Sequence, residues 1–274
     1  MSITNDFQKH PISRGTFASH SFPSPPLTST LRFVQSREYG RAIPRGYGEI
    51  CGMKDATSTT AYFMVQDDTD RTIHEMTVLR VARELLAGFE SPLWRAIRGK
   101  GLSYDFGLLL RSDQNTNYFY LGDCTSVSES YEAAVDIMEK YCNEGVSEEE
   151  MDGAVGGTCF SLCSTLDEPG DNALRRFVNN EDLEYVQKML MELKNVTKSE
   201  VEECIRTVLK KFFVMELSCF IITCPEDKVK EIEEDFKEFG FEVKVKEYES
   251  LLSESFYSYL FKNTFSLPSG ADRE

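Results

Sequence analysis

The sequence predicts an α+β fold in which helices cover one face of a sheet. Stretches rich in β-branched and aromatic residues lie towards both ends of the region 50–247, and helical patterns fill its middle. The last stretch, residues 241–246, alternates strictly between apolar and charged residues, as in a strand with one buried and one solvated face. We therefore expect one face of the sheet to be open to solvent.

The first predicted strand covers residues 60–66, and the polar turn Asp-Asp-Thr-Asp at 67–70 ends it. We expect ordered structure to begin near Cys51. A helix is predicted next, because apolar residues recur at helical spacing from Val78 to Phe89 and form one stripe that must pack on the sheet.

A short helix and a hairpin are predicted to follow. Ser91 offers a capping hydroxyl and Pro92 suits the first helical position, so the sequence predicts a helix over 93–98 that stops at Gly99-Lys-Gly101. Residues 104–110 and 118–124 read as two strands, because both are apolar or aromatic runs joined by a polar connector of hairpin length.

Helices are predicted through the middle of the chain. Three hydroxyl residues are each followed three positions later by a glutamate, which fits the capping box at a helix start. The pairs are Ser126 with Glu129, Ser147 with Glu150, and Thr197 with Glu200. A strand over 217–223, a helix over 225–239 and the strand over 241–246 then close the predicted domain.

The chain divides into three predicted regions. Residues 1–47 are rich in Ser and Pro and predict a disordered leader or linker, and residues 48–250 form the predicted domain. Residues 251–274 carry several aromatic side chains and predict a last short helix and a loose tail. The basic and hydroxylated residues of the leader also resemble a mitochondrial transit peptide, although its prolines disfavour an amphipathic helix.

Net charge excludes two classes of partner. The chain has 30 Lys and Arg against 46 Asp and Glu, a formal charge of -16, which repels nucleic-acid phosphates and anionic lipid headgroups. No uncharged apolar run of membrane-spanning length occurs. We therefore expect neither a nucleic-acid partner nor a membrane.

Cysteine usage indicates a reducing compartment. The eight cysteines are scattered without a disulfide framework spacing, so we expect reduced, buried thiols and an intracellular, cytoplasmic location, with mitochondria as the alternative. Cys159 and Cys163 are one helical turn apart, but no histidine or second cysteine pair accompanies them as a metal site requires.

The sequence lacks the residues of a catalytic zinc site. Only three histidines occur, and two of them, His10 and His20, fall in the predicted leader. Catalytic zinc needs three converging ligands, commonly two histidines one helical turn apart plus a further ligand, and His74 has no such partner. We expect His74 to be a surface or capping side chain, and the sequence predicts no catalytic residue, no metal ligand and no cofactor in this chain.

One segment could bind a ligand, namely Ser91-Pro-Leu-Trp-Arg-Ala-Ile-Arg-Gly-Lys-Gly-Leu-Ser-Tyr104. Its short helix, glycine turn and strand would bring the Arg98 guanidinium and the Tyr104 hydroxyl to the same edge of the sheet. Both groups donate hydrogen bonds and suit the carbonyls of an extended peptide. The alternative is that Arg98 caps the carbonyls of its own helix while Tyr104 packs in the core.

This segment, preceded by the helix ending Glu84-Leu-Leu-Ala-Gly88, resembles the C-terminal half of the M16 zinc metallopeptidases, the insulinase, pitrilysin and presequence-protease group. The resemblance implies a domain with a mixed, mostly antiparallel sheet. In that family two homologous halves close around a peptide. The N-terminal half carries an inverted His-x-x-Glu-His zinc motif, and the C-terminal half holds the substrate with an Arg and a Tyr, which correspond here to Arg98 and Tyr104.

The resemblance implies a non-catalytic, substrate-binding half of a zinc metalloendopeptidase. Its partners would be a peptide substrate and a catalytic half that carries the zinc, either upstream in a longer product or in a separate chain. The sequence departs from the family in lacking the zinc motif and in placing Asp105 where a small residue is usual. The alternative function is a peptidase-like scaffold or assembly subunit that binds no peptide.

Overall fold

The computed structural model of the chain describes residues 45–67, 69–111, 116–166, 182 and 184–247. Its helices and strands follow one another in this order: β1 (Tyr47–Met53), β2 (Thr59–Gln66), α1 (Ile73–Ala87), α2 (Pro92–Ala96), β3 (Ser103–Arg111), β4 (Thr116–Cys124), α3 (Val127–Glu144), α4 (Glu148–Leu166), α5 (Tyr185–Glu192), α6 (Lys198–Thr207), β5 (Cys219–Pro225), α7 (Val229–Glu238) and β6 (Glu242–Glu247). The predicted C-terminal helix and tail and most of the predicted leader lie outside the described residues.

The six strands form a mixed sheet in the order β3-β4-β2-β5-β1-β6. The pairs β3–β4, β4–β2 and β2–β5 are antiparallel, whereas β5–β1 and β1–β6 are parallel. This arrangement confirms the predicted mixed, mostly antiparallel sheet. It also makes β3 one of the two edge strands, directly after the segment that contains Arg98.

Helices pack on one face of this sheet, as predicted. On β2, Ala61, Phe63 and Val65 are buried, while Tyr62 between them is 37% exposed on the opposite face. The buried face meets the apolar stripe of α1, which includes Val81 and Ala82. Since alternate residues of a strand point to opposite faces, the second face of the sheet carries no helix among the described residues.

Strand β1 begins four residues before Cys51, where ordered structure is predicted to begin. The Gly46 amide donates to the Ser218 carbonyl at 2.8 Å, and the Gly46 carbonyl accepts from the Glu242 amide at 2.8 Å. These bonds align β1 between β5 and β6. The strand carries glycine at 48 because the Phe220 ring occupies that space, only 2.0 Å from where a Cβ would lie.

Most predicted element boundaries agree with the structure to within about two residues, but the helix starts differ in detail. The capping boxes of Ser147 with Glu150 and Thr197 with Glu200 are both formed. The box predicted at Ser126 is wrong, because the Ser126 side chain makes no capping bond and its amide already faces the Leu102 carbonyl at 3.5 Å. A further box, Thr72 with Glu75, starts α1.

The prediction that the cysteines are all buried is wrong for three of the eight. Cys142 is half-buried, and Cys159 and Cys163 are exposed on α4. None of the eight cysteines, all of which lie in the described residues, forms a disulfide. Exposure of two thiols on one helix face reflects the position of α4 at the outside of the helical layer, where Phe160 is also 76% exposed.

Candidate functional site

The segment before β3 is a tight, fully hydrogen-bonded turn. The Ser91 hydroxyl accepts from the Trp94 amide at 3.3 Å, which caps α2, and Leu93 and Ile97 anchor the helix in the core with no exposed surface. The chain then reverses through Gly101, whose φ of 74° favours glycine and whose amide donates to the Arg98 carbonyl at 3.0 Å. The sequence therefore fixes Arg98 at the outer side of the turn.

The start of β3 is held just as firmly. The Leu102 amide donates to the Ile97 carbonyl at 3.0 Å, and the Leu102 carbonyl accepts from the Thr125 amide at 2.9 Å and from the Thr125 hydroxyl at 3.0 Å. These bonds tie the turn to the residue that follows β4. The Tyr104 side chain is therefore attached to a backbone that hydrogen bonds hold in place at the end of the sheet.

Arg98 and Tyr104 lie together on the surface. The Arg98 guanidinium carbon is 4.6 Å from the centre of the Tyr104 ring, a cation–π contact, and Tyr104 is 66% exposed. A guanidinium that stacks on a ring keeps its in-plane N–H groups available. Within the described part of the chain, neither the guanidinium nor the phenol has a hydrogen-bond or ion-pair partner.

This geometry excludes the alternative reading of the pair. Tyr104 does not pack in the core, since two thirds of its surface is exposed. Arg98 does not cap α2, because the Gly99 amide binds the Trp94 carbonyl at 2.8 Å and Arg98 lies over the tyrosine instead. The structure brings the two predicted site residues into contact at the surface, where both are exposed. The stacking itself carries no signal in the sequence.

Residues 34–157 match the family model of the peptidase M16 inactive domain. This match covers 124 of the 274 residues, so this part of the chain is similar to the peptidase M16 inactive domain. The match begins ahead of β1 and runs into α4, so it includes the turn with Arg98 and Tyr104. The predicted family resemblance is confirmed, and the domain is of the type that the family's own description calls inactive.

Solved structures share the fold of this chain. A predicted insulinase family protease from Yersinia pestis is 13% identical, with a TM-score of 0.53, over 72% of this chain and 46% of that chain. The periplasmic protease PqqL from Escherichia coli is 14% identical, with a TM-score of 0.50, over 67% of this chain and 21% of that chain.

Curated relatives are much longer than this chain. An uncharacterized protein from Saccharomyces cerevisiae is 25% identical over 181 residues, which are 64% of this chain and 18% of the relative. An uncharacterized protein from Schizosaccharomyces pombe is 23% identical over 236 residues, 82% of this chain and 22% of the relative. The chain thus spans about a fifth of the length of these relatives.

His74 joins three helices, and among the described residues it belongs to no cluster of potential metal ligands. Its Nδ1 lies 3.0 Å from Glu192 Oε2 and its Nε2 lies 2.9 Å from Glu200 Oε1, so two carboxylates bind opposite sides of one ring. The bond with Glu200, and secondly that with Glu192, raises the pKa of His74. Glu200 also accepts from Thr197, and these bonds lower the pKa of Glu200 to about 2.

The described residues contain no cluster of three or more His, Cys, Asp or Glu side chains able to hold a metal ion. A catalytic zinc therefore does not fit the part of the chain that the structure describes. No helix in that part is both long and apolar enough to cross a membrane.

Sequence reasoning missed an aromatic group on the open face of the sheet. Tyr62 lies 5.0 Å from Tyr120 and 6.2 Å from Tyr118, measured between ring centres. The sequence contains a signal for this group. Tyr62, Tyr118 and Tyr120 are each next in the chain to a buried phenylalanine, so their side chains point to the opposite face of the sheet. Only the register of β2 with β4, which pairs Tyr62 with Tyr120, shows that the rings meet.

Proposed function

We propose that this domain is the non-catalytic, substrate-binding half of an M16 zinc metalloendopeptidase. Arg98 and Tyr104 would hold the carbonyl groups of an extended peptide at the entrance to β3. The zinc would belong to a catalytic partner half, either upstream in a longer product or in a separate chain. Bound there, it would supply the activated water for peptide hydrolysis.

The stacked, outward-facing pair is the observation that supports this proposal. A surface arginine usually finds a carboxylate, but in the described residues Arg98 finds only the Tyr104 ring. Contact with the ring restricts the Arg98 side chain, so less conformational entropy is lost when its N–H groups bind a carbonyl. A rigid turn with hydrogen-bonded backbone on both sides supports the pair.

Peptide binding by the isolated chain and its variants tests the proposal. We expect Arg98→Ala to weaken the binding of an unstructured fluorescent peptide by roughly 10- to 100-fold, because a charge-assisted hydrogen bond contributes about 1.5–3 kcal/mol. Tyr104→Phe, which keeps the ring and removes the hydroxyl, should weaken binding less. Fluorescence anisotropy gives the dissociation constants.

Arg95→Ala is the matched control, because Arg95 is an exposed arginine on α2, three residues before Arg98. It should leave the peptide dissociation constant unchanged. Equal binding by the wild-type chain and Arg98→Ala, with both folded by circular dichroism, would instead support the scaffold or assembly subunit. Loss of binding in the Arg95 variant of the same size would show that only net charge matters.

A further inference from the structure

On the open face of the sheet, side chains of β1 already bind the cationic side chains of a neighbouring strand. At the β6 edge, Lys244 Nζ lies 5.3 Å from the centre of the Tyr47 ring, and Lys246 Nζ lies 3.5 Å from Glu49 Oε1. The Tyr47 hydroxyl donates to Glu49 at 2.9 Å. A tyrosine face and a carboxylate on one strand therefore hold two lysines of the neighbouring strand.

The opposite edge of the same face has a tyrosine and a carboxylate, and no described strand lies on its outer side. On β3, Asp105, Gly107 and Leu109 point to the open face, since Leu108 between them is buried in the core. The register pairs Gly107 with Tyr120 and Asp105 with Gly122. Because β3 is an edge strand, no described strand lies beside it to supply a lysine.

Two glycines shape this edge into a shallow notch. The Tyr120 hydroxyl lies 2.0 Å from where a Cβ on Gly122 would be, so the ring lies along the sheet towards the residue paired with Asp105. A Cβ on Gly107 would meet only Leu109, at 4.0 Å, so the space above Gly107 is open. The notch has Tyr120 on one side, Leu109 at one end and Asp105 at the other.

The charges around the notch favour a cation. Asp105 is exposed and, among the described residues, has no basic side chain within ion-pair distance. No described Lys or Arg lies over Tyr62 or Tyr120. The pKa of Tyr120 is raised, first by burial and then by the negative charge of Asp105, which places that carboxylate close to the phenol.

We propose that this notch, formed by Asp105, Gly107, Leu109 and Tyr120, binds a lysine or arginine side chain of an extended peptide lying beside β3. The aliphatic stem rests on Tyr120 and Leu109 above Gly107, and the charged end meets Asp105. Along a strand Asp105 lies about 7 Å from Gly107, a distance that a four-carbon lysine stem spans. This inference rests on the proposed function and adds that the bound peptide is basic.

Two fluorescent peptides of the same length test the inference. One carries a single central lysine among uncharged residues, and the other carries norleucine at that position. At low salt we expect the wild-type chain to bind the lysine peptide about fivefold more tightly, because exposed cation–π and ion-pair contacts each contribute up to about 1 kcal/mol. Asp105→Asn, which removes the ion pair and keeps the Tyr120 ring, should reduce this ratio to about twofold.

Gly107→Val is the second variant, and it tests the notch without altering charge. Valine fills the space above Gly107 and suits an edge strand, so the variant should fold while losing the preference for lysine. Asp152→Asn is the control, because it removes the same charge from an exposed position on α4, in the helical layer on the other side of the sheet. It should keep the fivefold ratio.

The outcomes separate this inference from the proposed function. A ratio of one in the wild-type chain, or a ratio unchanged in both Asp105→Asn and Gly107→Val, overturns the basic-residue notch while Arg98→Ala can still show peptide binding. If neither peptide binds at all, the proposed function fails and the notch with it. The preference for the lysine peptide should also fall when salt is raised to about 0.5 M, because salt screens exposed charge pairs. A preference that stays fivefold at this salt concentration would overturn the inference.

Discussion

At the scale of single residues, the candidate site depends on a glycine that the sequence pattern singles out only as a helix stop. Gly101 has a φ of 74°, and no atom lies within 4 Å of where its Cβ would be. Space is therefore available for a side chain, but the backbone conformation disfavours one. The turn that sets Arg98 beside Tyr104 thus requires glycine at position 101 because of the backbone conformation there, and not because a side chain would clash.

Replacing Gly101 with alanine should lower the free energy of unfolding by about 1 kcal/mol, which is the cost of a left-handed backbone for an L-residue. Denaturant titration of the chain measures this change. Gly153 provides the matched control, because it lies exposed in the interior of α4 and its Cβ would also meet nothing within 4 Å.

Gly153→Ala should raise the free energy of unfolding by roughly 0.5–1 kcal/mol, because alanine loses less backbone entropy in a helix than glycine does. The two substitutions add the same methyl group to equally open space and should have opposite signs. A destabilisation of similar size in both would show that local packing, and not the φ of Gly101, determines the response.

The positions of Arg98 and Tyr104 could be predicted from the sequence, but their contact could not. The cap at Ser91 and the glycines at 99 and 101 are local signals, and they predict the helix, turn and strand that the structure shows. The stacking depends on side-chain rotamers at the surface. The notch at Asp105 depends on the register of β3 with β4, which brings Tyr120 to Gly107 across 13 positions of chain.

At the scale of helices and strands, the hairpin was predictable and the parallel strands were not. Strands β3 and β4 are joined by a short connector, so their pairing follows from local sequence. Strand β1 pairs with β5 and β6, which follow it by more than 160 positions, and it contains two glycines that lower its strand propensity. The glycine at 48 is required by the distant Phe220, so tertiary packing overrides local preference there.

His74 makes the junction of α1, α5 and α6 sensitive to pH. The Glu200 carboxylate, followed by Glu192, raises the pKa of His74 above its ordinary 6.5. The folded state therefore binds this proton more tightly than the unfolded chain does. The resulting stabilisation is complete below pH 6.5 and disappears as the pH rises through the raised pKa.

The Glu200 carboxylate of this junction has the opposite pH dependence, because its stabilisation is lost as the pH falls. Bonds from Thr197, and secondly from His74, lower the pKa of Glu200 from 4.5 to about 2. That stabilisation is present above pH 4.5 and is lost as the pH falls towards 2. The junction should therefore contribute most between about pH 4.5 and 6.5.

Urea unfolding of the wild-type chain and of His74→Gln across pH 4 to 9 measures this contribution. We expect the midpoint difference between the two proteins to be largest near pH 5–6 and to shrink above the raised pKa of His74. Glutamine keeps one hydrogen bond but cannot carry the charge. A midpoint difference that stays constant from pH 5 to pH 9 would show that His74 stabilises the junction through packing alone.

At the scale of the whole molecule, the described part of the chain combines a peptidase fold with the absence of a zinc site. Residues 34–157 match the family model of the peptidase M16 inactive domain, and the mixed sheet has the fold of solved structures such as the predicted insulinase family protease. The described residues hold no group of three potential metal ligands. The chain also spans about a fifth of its curated relatives, so a catalytic partner half remains part of the proposal.

Metal removal therefore separates this domain from a complete peptidase. We expect the purified chain to hydrolyse a quenched fluorescent peptide no faster than buffer, and we expect excess chelator to change neither that rate nor the urea midpoint of unfolding. A structural or catalytic metal would tie its ligands together in the folded state alone, so its removal would lower the midpoint. Arg98→Ala, purified in the same way, serves as the control for contaminating protease, because turnover that is equal in both preparations does not come from the proposed site. Turnover that scales with wild-type protein, disappears with chelator and returns with zinc would contradict the proposal that the catalytic metal lies in another half.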